Sequence, residues 1–530
     1  MIKSVFKETS TLNETGSNNS DDASLTVTSP LKNSVTSSTD PVDLKRQISK
    51  LISTLRGHNY PISKFEIFYI PSNVYYLNKE KDDSEEHKKI QLLTPTLITC
   101  DEKGWIVWWD LNTRRPIGCW CGHNGENVIT VKQLGLKWEL SADKSYNIPI
   151  INTSTYGTLL THGKDGEIKI WKLIDTFNLP GSDVLGYKYS SALTKKVYME
   201  NSNDNNNISE NNSKEKWTKP KIFFEMPVNM LNFCNVAINN ENYMVTPSTL
   251  NSNYFDVYKL DLDLNSSNQP DLKRIHKSVN AITFTDDFNI PIKHLENQEN
   301  TNKDLGIIMK IEWINDNYFA VGYESGHVLT FKLKAEGEIS LITIESSHYP
   351  NPIMALNYNS ALNILTYTST TDSVVIDSLE YLDDEGQDIT TKVNVISLKH
   401  KGISEIITNG SIISFITWDG YSRFYKTENS NLTFIFKLKK LTPSIQLELQ
   451  TGKDADGSSV SNLTRTSFLG FSKIQRNFSY LKDNNLLLYS NGMSKMIVRK
   501  RYELNQDKNW LFIAYRDGSV SLYNTLDTFM

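Results

Sequence analysis

A histidine, a hydroxyl and a carboxylate stand close together in this 530-residue chain: His123 of CGHNG, then Thr161 and Asp165 of LLTHGKDGEIKIW. Those residue types can run a nucleophilic relay, in which the carboxylate orients an imidazole that takes the hydroxyl proton. Two other stretches invite chemistry. HGKDG (162–166) carries the Gly and Lys of a phosphate loop, and Cys119-x-Cys121 could offer two thiolates to a metal. Both fail on spacing. HGKDG lacks G-x-x-x-x-G-K-[ST] and leads into a strand pattern, so no helix N-terminus faces an anion. The C-x-C has no second pair nearby and reads as reduced thiols in or beside strands. With no H-E-x-x-H or EF-hand pattern either, catalytic, cofactor-binding and metal sites are all expected to be absent.

The elements that hold these residues recur along the chain. LITCDEKGWIVWWDL (97–111) aligns without gaps on LLTHGKDGEIKIWKL (159–173): strand, tight turn, strand, and an aromatic six residues past the turn position. The frame returns in YFAVGYESGHVLTFKL (318–333), IISFITWDGYSRFYKT (412–427) and LFIAYRDGSVSLYNTL (511–526). Counting six from the turn anchors Lys103, Asp165, Ser325, Asp419 and Asp517 gives Trp109, Trp171, Phe331, Tyr425 and Tyr523. Two weaker copies bring the units to seven: 243–260, where Asn253 replaces the turn Gly, and 364–379, which has lost the aromatic. A Gly-His or comparable polar turn precedes most of them, with His58 and His123 before the first two and His276, His348 and His400 before the fourth, fifth and sixth.

A sheet of this kind cannot bury both faces alone, so copies must stack around an axis. The chain therefore reads as all-β, a seven-bladed WD40-type β-propeller over 49–530. LISTL (51–55) is placed to complete the last blade, so that both ends of the chain close the ring. Residues 1–48, rich in Ser, Thr and Asn, read as a disordered tail. Loop insertions are expected near 79–92, 176–220, 262–305, 380–392 and 445–508, concentrated on the face opposite the tight turns.

In such blades the His, the hydroxyl, the turn Asp and the Trp form a hydrogen-bonded chain that rigidifies the sheet. His123, Thr161, Asp165 and Trp171 fill all four places in the second blade. The first has His58, Thr99 and Trp109 but Lys103 at the turn, which predicts an incomplete network. The relay residues are thus expected to be structural. A propeller hydrolase would instead need acids converging on the central channel; Glu66 and Glu312 are candidates at first-strand positions, but they do not recur.

Composition narrows the partners. A net charge of −5 with pI near 6.1 gives no global basic field for nucleic acid and no polybasic membrane footing. Four cysteines argue against a disulfide framework. The N-terminal MIKSVFKETS lacks the apolar run of a signal peptide, and no stretch is apolar enough for a spanning helix, so a cytoplasmic or nuclear protein is expected. What remains is a rigid propeller presenting loops to other proteins. Arg114 and Arg115, in the NTRRP turn (112–116), are the candidate partner contacts, since paired guanidinium groups suit bidentate recognition of carboxylates.

LRGHNYPIS, GWIVWWDLNTRRPI, CGHNGENVITVKQL and LLTHGKDGEIKIWKL together resemble the fungal ASTRA-associated protein 1 family, with the resemblance running on to YRDGSVSLYN. GW-x-V-x-WDL-x-TRRP is its most specific string; Tyr523 stands where many copies have Trp. The resemblance implies a non-catalytic nuclear WD-repeat subunit of the ASTRA assembly, without cofactors. It implies as partners a PI3K-related pseudokinase, Tel/Tti cochaperones and Rvb-type AAA+ ATPases, and roles in chromatin regulation and PI3K-related kinase maturation. A ubiquitin-ligase substrate receptor or a Gβ-like signalling scaffold would share the fold and differ only in partner.

Overall fold

The computed structural model describes residues 49–71, 93–111, 114–140, 147–151, 157–173, 220–229, 234–261, 271–284, 304–334, 337–380, 390–428, 430–440, 466–473 and 509–525. Seven antiparallel four-stranded sheets follow one another along the chain. A hairpin, Leu136–Leu140 with Asn147–Ile151, is added between the first two strands of the second sheet. Among the described residues the one helical element is a single 3-10 turn, Ala281–Phe284. The fold is a seven-bladed β-propeller.

Blade 1 shows why the repeat unit reads as it does. Its strands are Ile62–Pro71, Leu93–Asp101, Trp105–Asp110 and Arg115–Cys121. Along the third strand, Trp105, Val107 and Trp109 pack into an apolar cluster shared with blade 7, while Ile106 and Trp108 pack into one shared with blade 2. Side chains alternate across a strand, so a strand buried on both faces must be apolar at every position. WIVWW is such a strand. Seven apolar clusters of this kind fill the seven spaces between neighbouring blades.

Blade 7 is assembled from distant parts of the chain. Thr466–Lys473, Asn509–Tyr515 and Ser519–Thr525 supply three strands, and Ser49–Arg56 pairs antiparallel with the last, from Ser49 opposite Thr525 to Arg56 opposite Ser519. Leu55 of that strand is buried in the blade 7/blade 1 cluster.

Several expectations change. The stretches read as insertions at 262–305 and 445–508 each contain a blade strand, Asp271–Val279 and Thr466–Lys473. Asp271–Val279 is an outer fourth strand with one face in solvent, and its DLKRIHKSV therefore lacks a core pattern. His276 lies inside that strand, opposite Val257, and not in a loop between blades. Asn253 is not among the residues with positive φ. The blade 3 turn is instead a longer loop in which Asn251 Oδ1 accepts the Asn253 N–H at 3.0 Å and no left-handed residue is needed there. The connections from Val279 to Ile308 and from Leu438 to Thr466 join a fourth strand to the next first strand, so they emerge on the same face as the tight turns. Elaboration is therefore not confined to the opposite face. The tail at 1–48 and the stretch 79–92 lie outside the described residues, as does 176–220 except for Pro220.

The fifth blade replaces its aromatic with an acid. Asp377 stands opposite Leu365, the register place that Trp171 holds opposite Leu159. It is buried, and its Oδ1 has no hydrogen-bond partner. Burial, with the Glu345 carboxylate nearby, pushes Asp377 up to about 7. An acid whose pKa is raised on folding holds its proton in the native state and loses it on unfolding, so stability falls as pH rises from about 4 towards 7. Asp377→Asn cannot ionise. It should match the parent at pH 4 and exceed it at pH 8 by on the order of 2–4 kcal/mol in chemical denaturation. A gain that is equal at both pH values would show that ionisation is not the cause.

Candidate functional site

The relay residues of blade 2 form one chain of hydrogen bonds. Its strands are Val128–Gln133, Thr158–Gly163, Glu167–Lys172 and Lys221–Pro227. Trp171 Nε1 donates to Thr161 Oγ1 at 2.8 Å. Thr161 Oγ1 lies 2.8 Å from His123 Nε2, and His123 Nδ1 lies 2.9 Å from Asp165 Oδ1. A carboxylate at Nδ1 assigns the ring proton to that nitrogen, which leaves Nε2 to accept from the threonine hydroxyl. Burial alone would raise Asp165, but the hydrogen bond from His123, together with the charge of Lys169, holds its carboxyl below the usual range. Thr161, His123 and Trp171 have essentially no exposure. The hydroxyl is enclosed by its partners, so no substrate can reach it.

Blade 1 repeats the chain with one substitution of position. Trp109 Nε1 donates to Thr99 Oγ1 at 2.9 Å, and His58 Nε2 lies 2.6 Å from the same oxygen. His58 Nδ1 meets Asp101 Oδ2 at 2.9 Å. The network is complete despite Lys103, because Asp101, at the end of the second strand, supplies the carboxylate. Its other oxygen accepts the Lys103 and Trp105 backbone N–H groups at 2.9 and 3.0 Å. The Trp109 ring lies so close over Gly57 that a Cβ there would sit 2.7 Å from it, which explains the glycine of the Gly-His pair. His162, missed in the sequence, is buried beside His123, and burial lowers it to about 3, so it stays neutral.

Three of the four cysteines are held as thiols. Burial pushes Cys100, Cys119 and Cys234 well above the ordinary thiol range. Among the described residues no group of three His, Cys, Asp or Glu side chains could hold a metal ion.

First strands surround the axis, and their charged side chains meet across it. Lys64 of blade 1 donates to Glu405 of blade 6 at 3.0 Å, a bond that passes in front of blade 7. Lys132 of blade 2 acts on both Glu66 of blade 1 and Glu312 of blade 4. Burial in the channel pushes both acids up to about 7, against the pull of Lys132. Lys310 is lowered by burial and by Lys64, with Glu405 opposing. Glu66 and Glu312 therefore do converge, but within a cluster of three acids and three lysines that the sequence scatters over more than 300 residues.

Arg114 and Arg115 occupy the third-to-fourth-strand turn of blade 1. Arg114 has φ +61° and is half-buried; its Nη1 reaches the Ile52 carbonyl of the closing strand at 3.4 Å. Arg115 pairs with Asp110 in the ladder, and its side chain lies outside the described residues, as do Asn112 and Thr113. Trp108, with no exposure, donates from Nε1 to Thr96 Oγ1 at 2.8 Å, and Trp105 is partly buried against the blade 7/blade 1 cluster. Neither tryptophan forms an open binding surface.

A family model and relatives of known sequence point to one family. A family model described as ASTRA-associated protein 1 matches residues 51–523. A protein of that name from Komagataella phaffii is 31% identical over 490 residues, covering 89% of this chain and 97% of the relative. One from Debaryomyces hansenii is 25% identical over 531 residues, covering 89% and 98%. Among solved structures, the crystal structure of Saccharomyces cerevisiae Sqt1 is similar at a TM-score of 0.44 and 8% identity, covering 90% of this chain and 99% of that one.

Proposed function

Because the chain belongs to the ASTRA-associated protein 1 family, we propose that it is a non-catalytic propeller subunit of the ASTRA assembly. In this reading it is a nuclear scaffold that holds protein partners together for chromatin regulation and PI3K-related kinase maturation. Its partners are the PI3K-related pseudokinase, the Tel/Tti cochaperones and the Rvb-type AAA+ ATPases. The observation that carries the reading is the family match, which extends from the closing strand to the last blade. The enclosed relay hydroxyl of blade 2 supports the absence of catalysis, since a nucleophile without access cannot turn over.

Affinity purification with mass spectrometry tests it. Those subunits should be recovered with the wild-type protein; recovery of none of them would overturn the proposal, and recovery of ubiquitin-ligase subunits or signalling components would favour the receptor or Gβ-like reading. Arg115→Glu tests the NTRRP turn as a contact. Arg114→Glu is the less direct variant, because that side chain also reaches the closing strand. If the turn is an interface, Arg115→Glu should reduce recovery at least about tenfold while leaving the melting temperature unchanged.

One observation favours a second reading. Glu66 and Glu312, both pushed up to about 7 by burial and both acted on by Lys132, are two titratable acids in the channel. A channel hydrolase would lose its turnover in Glu66→Gln and Glu312→Gln, whereas a scaffold would retain its partners in both.

A further inference from the structure

The face that carries the tight turns is not uniform. Around blade 6, whose strands are Ile403–Asn409, Ile412–Thr417, Ser422–Glu428 and Asn431–Leu438, three separate stretches bring basic side chains together. Lys399 and Lys401 lie in the connection entering the blade. Arg423 and Lys437 pair across its third and fourth strands, and Lys439 and Lys440 follow at the exit. Their closeness is visible in what they share. Tyr421 has Lys437 at 4.7 Å, Lys439 at 5.0 Å and Arg423 at 5.1 Å from its ring centre. His400, lowered first by burial, is lowered further by Arg423, Lys437 and Lys399 together.

Among the described residues the acids of this region have partners. Asp419 takes both ends of the Arg423 guanidinium, and Asp517 of blade 7 takes Lys440. Asp372, at the border, accepts from Ser397 Oγ at 3.2 Å. Among the described residues six cations, Arg423 itself buried, thus stand against three acids in a chain whose net charge is −5. In the middle stands Trp418, 47% exposed, in the turn between the second and third strands. Its ring packs on Gly402, where a Cβ would come within 2.2 Å of it, and the Trp418 backbone N–H donates to the Gly402 carbonyl at 2.8 Å. An exposed indole held in place by its own backbone loses little freedom when another surface covers it.

We propose that this patch, Lys399, Lys401, Lys437 and Lys439 around Trp418, docks an acidic linear segment of a protein partner. Carboxylates of the segment meet the lysines, and one apolar side chain covers the indole. Charge complementarity selects an acidic partner, and the seated tryptophan favours a polypeptide over a bare polyanion, since an apolar side chain completes the contact. The proposal deepens the scaffold reading by naming one of its surfaces, and it rests on that reading for the partner being a protein.

The probe is a fluorescein-labelled synthetic peptide of twelve residues, Glu and Asp throughout with one central Phe, titrated with the full chain and read by anisotropy. Binding should weaken at least about tenfold between low and physiological salt. Lys399→Glu/Lys401→Glu should lose it by more than about tenfold, and Trp418→Ala by several-fold. Lys103→Glu/Lys164→Glu, on the same face at blades 1 and 2, should leave it unchanged; circular dichroism melting confirms that each variant is folded. Replacing Phe with Glu in the peptide should reduce the affinity and remove its sensitivity to Trp418→Ala. Equal binding by all the lysine variants, or stronger competition by a uridine oligonucleotide of the same charge than by the unlabelled peptide, overturns the proposal. Partner recovery unaffected by Lys399→Glu/Lys401→Glu would also overturn it while leaving the scaffold reading intact. Failure of the wild type to recover partners would instead remove the scaffold reading, with the peptide titration unaffected.

Discussion

Deleting Ser49–Arg56 should abolish cooperative unfolding of the whole propeller, whereas removing residues 1–45 should leave the thermal transition where it is. The strand is bonded along its length to Ser519–Thr525 and places Leu55 in the cluster between blades 7 and 1. Without it, Ser519–Thr525 becomes an open edge, and the apolar contacts that join the last blade to the first are thinned. A ring differs from an open stack in that losing one closure weakens every interface, because each blade is held by two neighbours. The expected result is a broad, low-amplitude melt near room temperature with increased aggregation. Adding the peptide SKLISTLR in trans should restore part of the transition. A deletion variant that melts as sharply and as high as the parent would show that the ring does not depend on this strand.

Trp171→Ala should cost about 3–5 kcal/mol, the range for emptying a large, fully buried aromatic site. The side chain fills the space between blades 1 and 2, its ring 5.9 Å from that of Trp120, and its N–H ends the chain through Thr161 and His123 to Asp165. Two losses combine in the alanine variant, a cavity and an unsatisfied hydroxyl acceptor. Trp171→Phe separates them, since it keeps most of the volume and removes only the donor; about 1–2 kcal/mol is expected. Urea midpoints for the three proteins give the comparison. Similar losses for Ala and Phe would mean that the hydrogen bond, and not the packing, dominates.

The repeat frame was legible because a strand buried on both faces leaves a run of apolar residues with an aromatic at a fixed distance from a turn, as in WIVWW and EIKIWK. The outer strands were less so. DLKRIHKSV has one face in solvent and only partial burial on the other, so it carries no pattern to read. The blade 1 carboxylate was missed for a different reason. The requirement is an oxygen within reach of His58 Nδ1, and Asp101 meets it two residues before the position that the frame assigns. The channel cluster and the basic patch escaped because each is assembled from stretches far apart in sequence, as Lys64 and Glu405 show. A net charge gives no sign of where on the surface the charges gather.

The closing strand also sets an order of events during synthesis. Ser49–Arg56 leaves the ribosome well before its partner, Ser519–Thr525, has been made. At roughly 5–20 residues per second that interval is on the order of half a minute or more. Through all of it the first blade has no neighbour on one side, and the closing strand, with its Leu55, waits unpaired. Such a nascent chain is a client for whatever chaperones attend translation, and its yield in a cell depends on that waiting time as well as on the stability of the finished ring.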